Sequence, residues 1–282
     1  AELQQACNRR AREIAELLGT DCRVVVRPPY VVAGDMREEF LERHHSETIV
    51  PTARALSTLY FDREPDRPIA VLMFASEDNY RRYAAKLDGR ERPNYAGYYQ
   101  RNDRRVVLNI STGNGTLAHE LTHALAHCDF PEMPEWFDEG LASLVEQSEF
   151  SDDRLRLFGV SNWRLNYLLP ALKKGQLQST ESLIAAGRVR PGHEAVDYAH
   201  ARYVCLYLQQ RDLLGPFYRK FRAEAGGDPT GLQTLLRLLD ADSLDHFDRQ
   251  FRQWVVTLSP AVPRTDRRGA AGVIPNAASA SR

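Results

Sequence analysis

The sequence has no run of 18 or more apolar residues, so it encodes no transmembrane helix. It also has no Cys-x-x-Cys spacing, which argues against a zinc or redox site built from cysteines. Neither sign of charge dominates, because 37 basic and 38 acidic residues give a formal net charge of −1. This balance gives no electrostatic reason to expect nucleic acid or an anionic membrane as a partner. The 282 residues, 43% of them hydrophobic, predict a globular protein with a sizeable core.

The four cysteines do not identify a compartment. Cys7 and Cys22 would be able to form a disulfide in a secreted protein, whereas Cys128 and Cys205 fall on or near apolar helix faces and are interpreted as inert core residues. The N-terminus has no basic segment followed by an apolar run, so no signal peptide is visible. Since the first residue is not Met, a mature secreted or periplasmic chain is one expectation, and the localisation stays open.

Hydrophobic periodicity predicts an α+β fold, with a small mixed β-sheet and helices in an N-terminal lobe and an all-helical C-terminal lobe. In the first lobe, residues 1–112, the patterns predict helices at 2–18 and 77–87, more helix within 35–60, strands at 22–26 and 69–74, and a hairpin of 95–100 with 104–110. In the second, residues 113–258, they predict helices at 115–127, 134–148, 161–174, 180–186, 194–211, 213–225, 230–240 and 243–257. Residues 259–282, rich in Ala, Ser, Gly and Pro, are predicted to be disordered.

A pair of histidines four residues apart is the first indication of a functional site. His119-Glu120-Leu121-Thr122-His123 falls on a predicted helix, where residues four apart share a face, so both imidazoles can reach one ion. Zinc suits neutral imidazole nitrogens, and Glu120, about 100° away around the helix, has the position of a general base for water. His127 lies near the same side and is interpreted as a C-terminal histidine favoured by the helix dipole. The alternative interpretation of the motif is a helix with two surface histidines.

A catalytic zinc site with two histidines and a water needs one more protein ligand. The next predicted helix begins at Pro134 and carries Glu139 on a stripe with the small residues Ala142 and Ser143. Small residues would let this helix approach the histidine helix closely, which makes Glu139 the favoured ligand. Three other acids remain as alternative ligands or as a charged helix surface: Glu135, Asp138 and Glu146.

These two segments together resemble the gluzincin zinc metallopeptidases. The resemblance is carried by His119-Glu120-Leu121-Thr122-His123 and, after fifteen intervening residues, by Glu139 within Trp136-Phe137-Asp138-Glu139-Gly140-Leu141-Ala142. The second motif is similar to that of the alanyl aminopeptidase branch and of bacterial peptidase-MA-like domains. The resemblance implies a zincin-like fold over residues 95–257, and more loosely over 23–94, with Glu139 as the third zinc ligand. Thermolysin-like relatives have an Asp where this chain has Ser143, so the residues that support the ligands must differ.

The resemblance also implies a tyrosine that stabilises the oxyanion. Tyr198, which opens Tyr198-Ala199-His200-Ala201-Arg202-Tyr203-Val204, matches the tyrosine of aminopeptidase-type gluzincins. It lies off the apolar stripe of its predicted helix, on a face with Ala201, Arg202 and Cys205 that we interpret as lying outside the core. A packed tyrosine is the alternative interpretation, and His200 is the second candidate donor.

A strand before the zinc helix corresponds to the edge strand that binds the substrate backbone in gluzincins. This segment, residues 94–99, reads Asn-Tyr-Ala-Gly-Tyr-Tyr, and Gly97 would permit close backbone approach. Tyr98 and Tyr99 are interpreted as strand core, with a role in lining subsites as the alternative. Aminopeptidases carry a Glu here that binds the free amino group of the substrate. No acid occurs in residues 94–102, which argues against exopeptidase activity.

The expected activity is zinc-dependent hydrolysis of a peptide bond in a peptide or protein substrate. His119, His123 and Glu139 would hold Zn2+, Glu120 would act as the base, and Tyr198 would stabilise the oxyanion. One alternative is a zinc-binding scaffold or interaction domain with little turnover. Another is a partner-binding helical solenoid, against which the lack of an internal repeat argues. Hydrolysis of a non-peptide amide, the choice between endo- and exopeptidase, and the oligomeric state stay open.

Overall fold

A five-stranded mixed β-sheet is the centre of the N-terminal part of the protein. The computed structural model describes residues 1–89 and 96–259. The strands are β1 (Arg23–Arg27), β2 (Tyr30–Gly34), β3 (Ile69–Phe74), β4 (Gly97–Gln100) and β5 (Arg105–Asn109), in the order β1-β2-β3-β5-β4. The neighbours β2–β3 and β3–β5 are parallel, whereas β1–β2 and β4–β5 are antiparallel. Among the described strands, β4 is therefore an edge strand.

Helices pack against this sheet because its central strand has no polar face. All six residues of β3 are buried, as expected of a parallel strand that is covered on both sides. The helices of this part are α1 (Glu2–Leu18), α2 (Glu38–His44), α3 (Val50–Leu59), α4 (Glu77–Asp88) and α5 (Asn114–Asp129), and a π-helical segment, His45–Ile49, joins α2 to α3. One side of α1 shares an apolar core with the sheet, including Cys7, Ile14, Leu18, Val31 and Leu72.

The C-terminal part is helical apart from one small hairpin. Its helices are α6 (Glu135–Glu146), α7 (Leu165–Lys173), α8 (Thr180–Ala186), α9 (Glu194–Gln209), α10 (Leu214–Glu224), α11 (Leu232–Leu239) and α12 (Asp245–Thr257). The hairpin pairs β6 (Ser148–Phe150) with β7 (Leu157–Gly159). Helix α9 is central, because α6, α7, α8, α10 and α12 all contact it and every residue from Ala199 to Leu208 is buried.

The predicted α+β fold class is confirmed, with a mixed sheet in the N-terminal part and helices in the C-terminal part. Helix α1 and strand β3 begin and end at the predicted residues, and Ser76 caps α4 as predicted, accepting a hydrogen bond from the Asn79 backbone at 3.3 Å. Strand β2 and the hairpin β6–β7 were not predicted. Pro28 and Pro29, which have no N–H to donate, form the turn that joins β1 to β2, so extended structure resumes at Tyr30.

The chain divides into two compact units, which we call unit 1 and unit 2. Unit 1 comprises Ala1–Pro131 and Phe150–Leu157, and unit 2 comprises Glu132–Glu149 and continues from Phe158. The predicted boundaries after residues 112 and 258 stay predictions. Residues 260–282 of the predicted disordered tail, and Asn94 and Tyr95 of the predicted substrate strand, lie outside the described residues.

All four cysteines are free thiols, so the disulfide considered for Cys7 and Cys22 is not formed in this structure. Cys205 is fully buried, as its predicted core position requires, and burial raises the pKa of its thiol. Cys128 is only half-buried, and its thiol lies 3.2 Å from the Ala124 carbonyl oxygen. None of the described helices combines the length and the apolar character that a membrane crossing needs.

Candidate metal centre

Helix α5 carries both predicted histidine ligands and the predicted base. It begins after Gly113, whose φ of 104° favours glycine, and it ends at Asp129, after which the C-cap residue Phe130 donates its N–H to the Ala126 carbonyl at 2.6 Å. The apolar side of the helix is buried and consists of Leu117, Leu121, Ala124 and Leu125. This packing fixes the rotation of the helix about its axis. The histidines therefore share a different face, as the spacing of four predicts.

The Nε2 atoms of the two imidazoles approach each other. Nε2 of His119 lies 3.1 Å from Nε2 of His123, and the ring centroids are 4.8 Å apart at an interplanar angle of 77°. Two nitrogens bound to one tetrahedral zinc at about 2.05 Å would be about 3.3 Å apart. The observed spacing is therefore close to that of a chelating pair. His123 is only 7% exposed, so its ring is already withdrawn from bulk water.

Glu139 on α6 completes a group that could hold one ion. Helix α6 follows Pro134 and buries Trp136, Phe137 and Leu141, whereas Glu139 is half-buried. The candidate ligand atoms of His119, His123 and Glu139 all lie within 4.8 Å of one another. Two imidazoles and one carboxylate form the donor set of a zinc site that keeps one position for water. The residues present thus fit zinc in both number and kind.

The alternative acids are not members of this group among the described residues. Glu135 accepts a hydrogen bond from the Val189 backbone N–H at 3.2 Å. Glu146 accepts two from the Arg164 guanidinium, at 3.2 and 3.0 Å. Glu139 is accordingly the acid of this helix whose position agrees best with the predicted ligand.

Ser143, one turn after Glu139, is fully buried, and its hydroxyl has no hydrogen-bond partner among the described residues. A buried hydroxyl offers no charge to orient or polarise an imidazole, as a carboxylate would. How the proposed ligands are supported stays a prediction.

Glu120 packs directly against the edge strand β4. A Cβ at Gly97 would lie 3.2 Å from Cγ of Glu120, 3.0 Å from Cγ2 of Thr116 and 2.9 Å from Cβ of Leu108. Only glycine leaves room for α5 to approach β4 this closely. Glu120 is 8% exposed, so its carboxyl group is largely shielded from bulk water.

The aromatic residues of β4 have different surroundings. Tyr98 is 8% exposed, which supports the interpretation that it belongs to the core of the sheet. Tyr99 is half-buried, and its ring centroid lies 5.5 Å from that of His127. His127, in the last turn of α5, is outside the three-residue group and has its ring centroid 6.3 Å from that of His123. This packing supports the interpretation of His127 as a helix C-terminal histidine.

Tyr198 is half-buried in the second turn of α9. The prediction that it shares a face outside the core with Ala201, Arg202 and Cys205 is wrong, because all three are fully buried. The reason is that helices pack around α9 on all sides, so a polar residue on this helix does not mark a solvent face. Tyr198 lies just before the buried stretch begins, and its role as a donor stays a prediction.

Arg164 is a charged neighbour of Tyr198 that the sequence patterns did not reveal. It is the N-cap of α7, and its Cζ lies 6.0 Å from the centroid of the Tyr198 ring and 4.5 Å from that of Trp163. Its guanidinium pairs with Glu146, and its side chain is 12% exposed. No spacing rule relates positions 146, 164 and 198, so only the folded chain reveals this cluster.

His200, the second candidate donor, lies inside the core of unit 2. Its ring stacks on Phe251 at 5.4 Å, and its Nε2 lies 3.3 Å from Oγ1 of Thr180. Burial lowers the pKa of His200 to about 4, so the ring is neutral at physiological pH. These contacts support a packing role for His200 and leave Tyr198 as the better candidate for the donor.

Comparisons with known proteins do not assign the chain to a family. No family model matches it, and no curated protein matches it. Among solved structures, native yeast LTA4 hydrolase matches at a TM-score of 0.43 and 14% sequence identity. The match covers 86% of this chain and 40% of that chain, so this chain spans less than half of the length of that protein.

Proposed function

We propose that this chain is a zinc metallopeptidase that hydrolyses peptide bonds with an activated water. The observation that carries the proposal is the approach of the ligand atoms of His119, His123 and Glu139 to within 4.8 Å of one another. Zinc is the metal that suits two imidazoles and a carboxylate with a position left for water. Glu120, next to His119 on the same helix, supplies the base that such a hydrolysis needs.

The chemistry divides between the ion and the protein. A bound zinc ion supplies Lewis acidity, which acidifies water and polarises a carbonyl group. Glu120 accepts a proton from the attacking water as the oxygen–carbon bond forms, and it gives a proton to the amide nitrogen as the carbon–nitrogen bond breaks. Its low exposure, 8%, limits competition from bulk water for that proton. Tyr198 donates a hydrogen bond to the carbonyl oxygen as negative charge develops there.

The proposed substrate is an extended peptide or protein segment. Strand β4 is an edge strand in the described part of the chain, and an edge strand can bind an extended backbone through main-chain hydrogen bonds. Gly97, which lies on this strand against Glu120, keeps the strand close to the proposed base. Because residues 94–102 contain no acid, nothing in this segment selects a free amino group, and the proposal does not require an exopeptidase.

Zinc analysis combined with digestion of a peptide library tests the proposal. The proteins compared are the wild type, Glu120→Gln, His123→Ala and a control, His246→Ala, which changes an exposed histidine of α12. We expect the wild type and the control to bind zinc and cleave peptides. Glu120→Gln should keep zinc but lose hydrolysis by roughly 10²- to 10⁴-fold, the typical contribution of a general base. His123→Ala should lose the zinc.

Two outcomes contradict the proposal in different ways. Full activity in Glu120→Gln would rule out the mechanism. Zinc bound by the wild type without cleavage of any library peptide would support the zinc-binding scaffold instead.

A further inference from the structure

The Arg164 side chain is held by contacts with Glu146 and Trp163, and its backbone is held by Asn162. Its Nε and Nη2 donate to Oε2 of Glu146 at 3.2 and 3.0 Å. Its guanidinium lies 4.5 Å from the ring centroid of Trp163, within the range of a cation–π contact. Its backbone N–H donates to Oδ1 of Asn162 at 3.0 Å, which fixes the chain where α7 begins. A side chain that is held in this way and is 12% exposed can position a neighbour.

That neighbour is Tyr198. The Arg164 Cζ lies 6.0 Å from the centroid of the Tyr198 ring, the distance at which an arginine is still attracted to an aromatic face. The attraction restricts the orientations of the ring. A positive charge beside a phenol also favours its ionised form, and a more acidic hydroxyl is a stronger hydrogen-bond donor.

A second guanidinium group, that of Arg202, lies on the same helix as Tyr198. Arg202, one turn further along α9, is fully buried, and it interacts electrostatically with both Glu146 and Arg164. Burial lowers the pKa of Arg202 to about 10, which still keeps the group protonated at neutral pH. Two guanidinium groups thus share the single carboxylate of Glu146. The acid that precedes Tyr198, Asp197, is paired with Arg190 at 2.7 Å.

We propose that Arg164, anchored by Glu146, is a positioning residue that orients the Tyr198 ring and strengthens its hydroxyl as a donor to the carbonyl oxygen of the substrate. The inference rests on the role proposed above for Tyr198. Arg164 acts through Tyr198 and does not touch the reacting atoms. Two consequences follow: removal of Arg164 changes the acidity of one tyrosine, and its effect on catalysis depends on the presence of that tyrosine.

The first experiment does not depend on catalysis. The protein is labelled with carbon-13 at tyrosine Cζ, the Tyr198 signal is identified by its loss in Tyr198→Phe, and its pKa is measured by titration. We expect Arg164→Met to raise this pKa by roughly half a unit or more, and Arg164→Lys to raise it less, because a charge at this range shifts a pKa. Arg164→Gln replaces the methionine variant if that variant does not fold.

Arg211→Met is the matched control. It removes a guanidinium whose Cζ lies 3.3 Å from the ring centroid of a different tyrosine, Tyr207, so the Tyr198 signal should not change. An unchanged Tyr198 pKa in a folded Arg164→Met or Arg164→Gln variant would overturn the inference, whether or not the protein cleaves peptides.

The second experiment is a double-mutant cycle on peptide hydrolysis. Arg164→Met should lower kcat by about ten-fold with little change in KM, and Arg164→Lys should restore part of the loss. Combined with Tyr198→Phe, Arg164→Met should cause little further loss, because both changes remove the same interaction. A full additional loss in the double variant would contradict action through Tyr198. If the wild type binds zinc and cleaves nothing, the proposed function fails, and the tyrosine titration then decides only whether Arg164 changes the acidity of Tyr198.

Discussion

The backbone of Gly140 lies directly against the backbone of Ala201. A Cβ at Gly140 on α6 would be 2.9 Å from the Ala201 carbonyl oxygen and 2.9 Å from Sγ of Cys205, both on α9. Such separations are shorter than side chains tolerate, so α6 and α9 approach as closely as they do only because position 140 has no side chain. Glu139 precedes Gly140, and the packing of α6 on α9 therefore determines where the backbone of the proposed zinc ligand lies within unit 2.

Gly140→Ala should destabilise the protein. The added methyl group meets backbone atoms that cannot rotate away, and such overpacking costs about 1–3 kcal/mol. This penalty outweighs the gain of about 1 kcal/mol that alanine has over glycine in a helix. The measurement is the free energy of unfolding in urea, with zinc affinity as a second readout that should weaken as Glu139 shifts. Gly226→Ala is the control, because no atom lies within 4 Å of its added Cβ, and equal stability of the two variants would contradict the prediction.

Gly97→Ala should impair catalysis more than zinc binding. The new Cβ would lie 3.2 Å from Cγ of Glu120 and 2.9 Å from Cβ of Leu108, so β4 and the Glu120 side chain must move apart by a few tenths of an ångström. Proton transfer depends steeply on such positions, and we expect kcat/KM to fall by about ten-fold or more. Zinc content should stay near that of the wild type. Gln100→Ala, on the same strand, is the control, and unchanged kcat/KM in Gly97→Ala would show that this contact does not matter.

The sequence predicts the histidine pair and many elements because these features depend on local spacing. His119 and His123 share a helix face through a separation of four residues, and α1 ends at Leu18, before Gly19. Strand β3 was recognisable as a continuous apolar run between polar or turn-forming residues. Each of these predictions needs only neighbours within a few turns or a single strand.

The environment of α9 could not be predicted, because distant partners determine it. Arg202 looks like a surface residue in the sequence, yet it is fully buried and donates to the carbonyl oxygens of Gln147 at 3.2 Å and Val160 at 2.6 Å. These carbonyls flank the β6–β7 hairpin, which the sequence patterns also missed. The contact of Arg164 with Tyr198 has the same origin, since residues 34 positions apart meet only when α7 packs on α9.

The burial of His200 leads us to expect that unit 2 becomes less stable in acid. Thr180 Oγ1 donates to Oδ1 of Asp248 at 2.6 Å, so it is left to accept from Nε2–H of a neutral His200 ring 3.3 Å away. A positive charge would require a second proton on Nδ1, which is buried and has no hydrogen-bond partner among the described residues. Burial therefore lowers the pKa of His200 from 6.5 to about 4.

The direction of the pH dependence follows from this shift. Between about pH 4 and pH 6.5 the unfolded chain binds a proton at His200 that the folded chain does not, so stability is lost as the pH falls through this window. The full pKa shift of His200 corresponds to a loss of about 3 kcal/mol in the free energy of unfolding. Asp248 acts in the same direction at lower pH: burial raises its pKa, but the hydrogen bonds from Thr180 and Arg252 outweigh burial and hold the pKa below its usual range.

His200→Leu removes the titrating group and keeps an apolar side chain beside Phe251. We expect the free energy of unfolding in urea to fall by about 3 kcal/mol more in the wild type than in His200→Leu between pH 7 and pH 4. The difference between the two proteins is the informative quantity, because burial also lowers the pKa values of His44 and His45 in unit 1. His246→Leu, at an exposed position, should keep the pH dependence of the wild type. If His200→Leu loses stability with acid as steeply as the wild type does, His200 does not cause the acid sensitivity. A hydrogen-bond acceptor near Nδ1 would then have to offset the cost of burying the protonated ring.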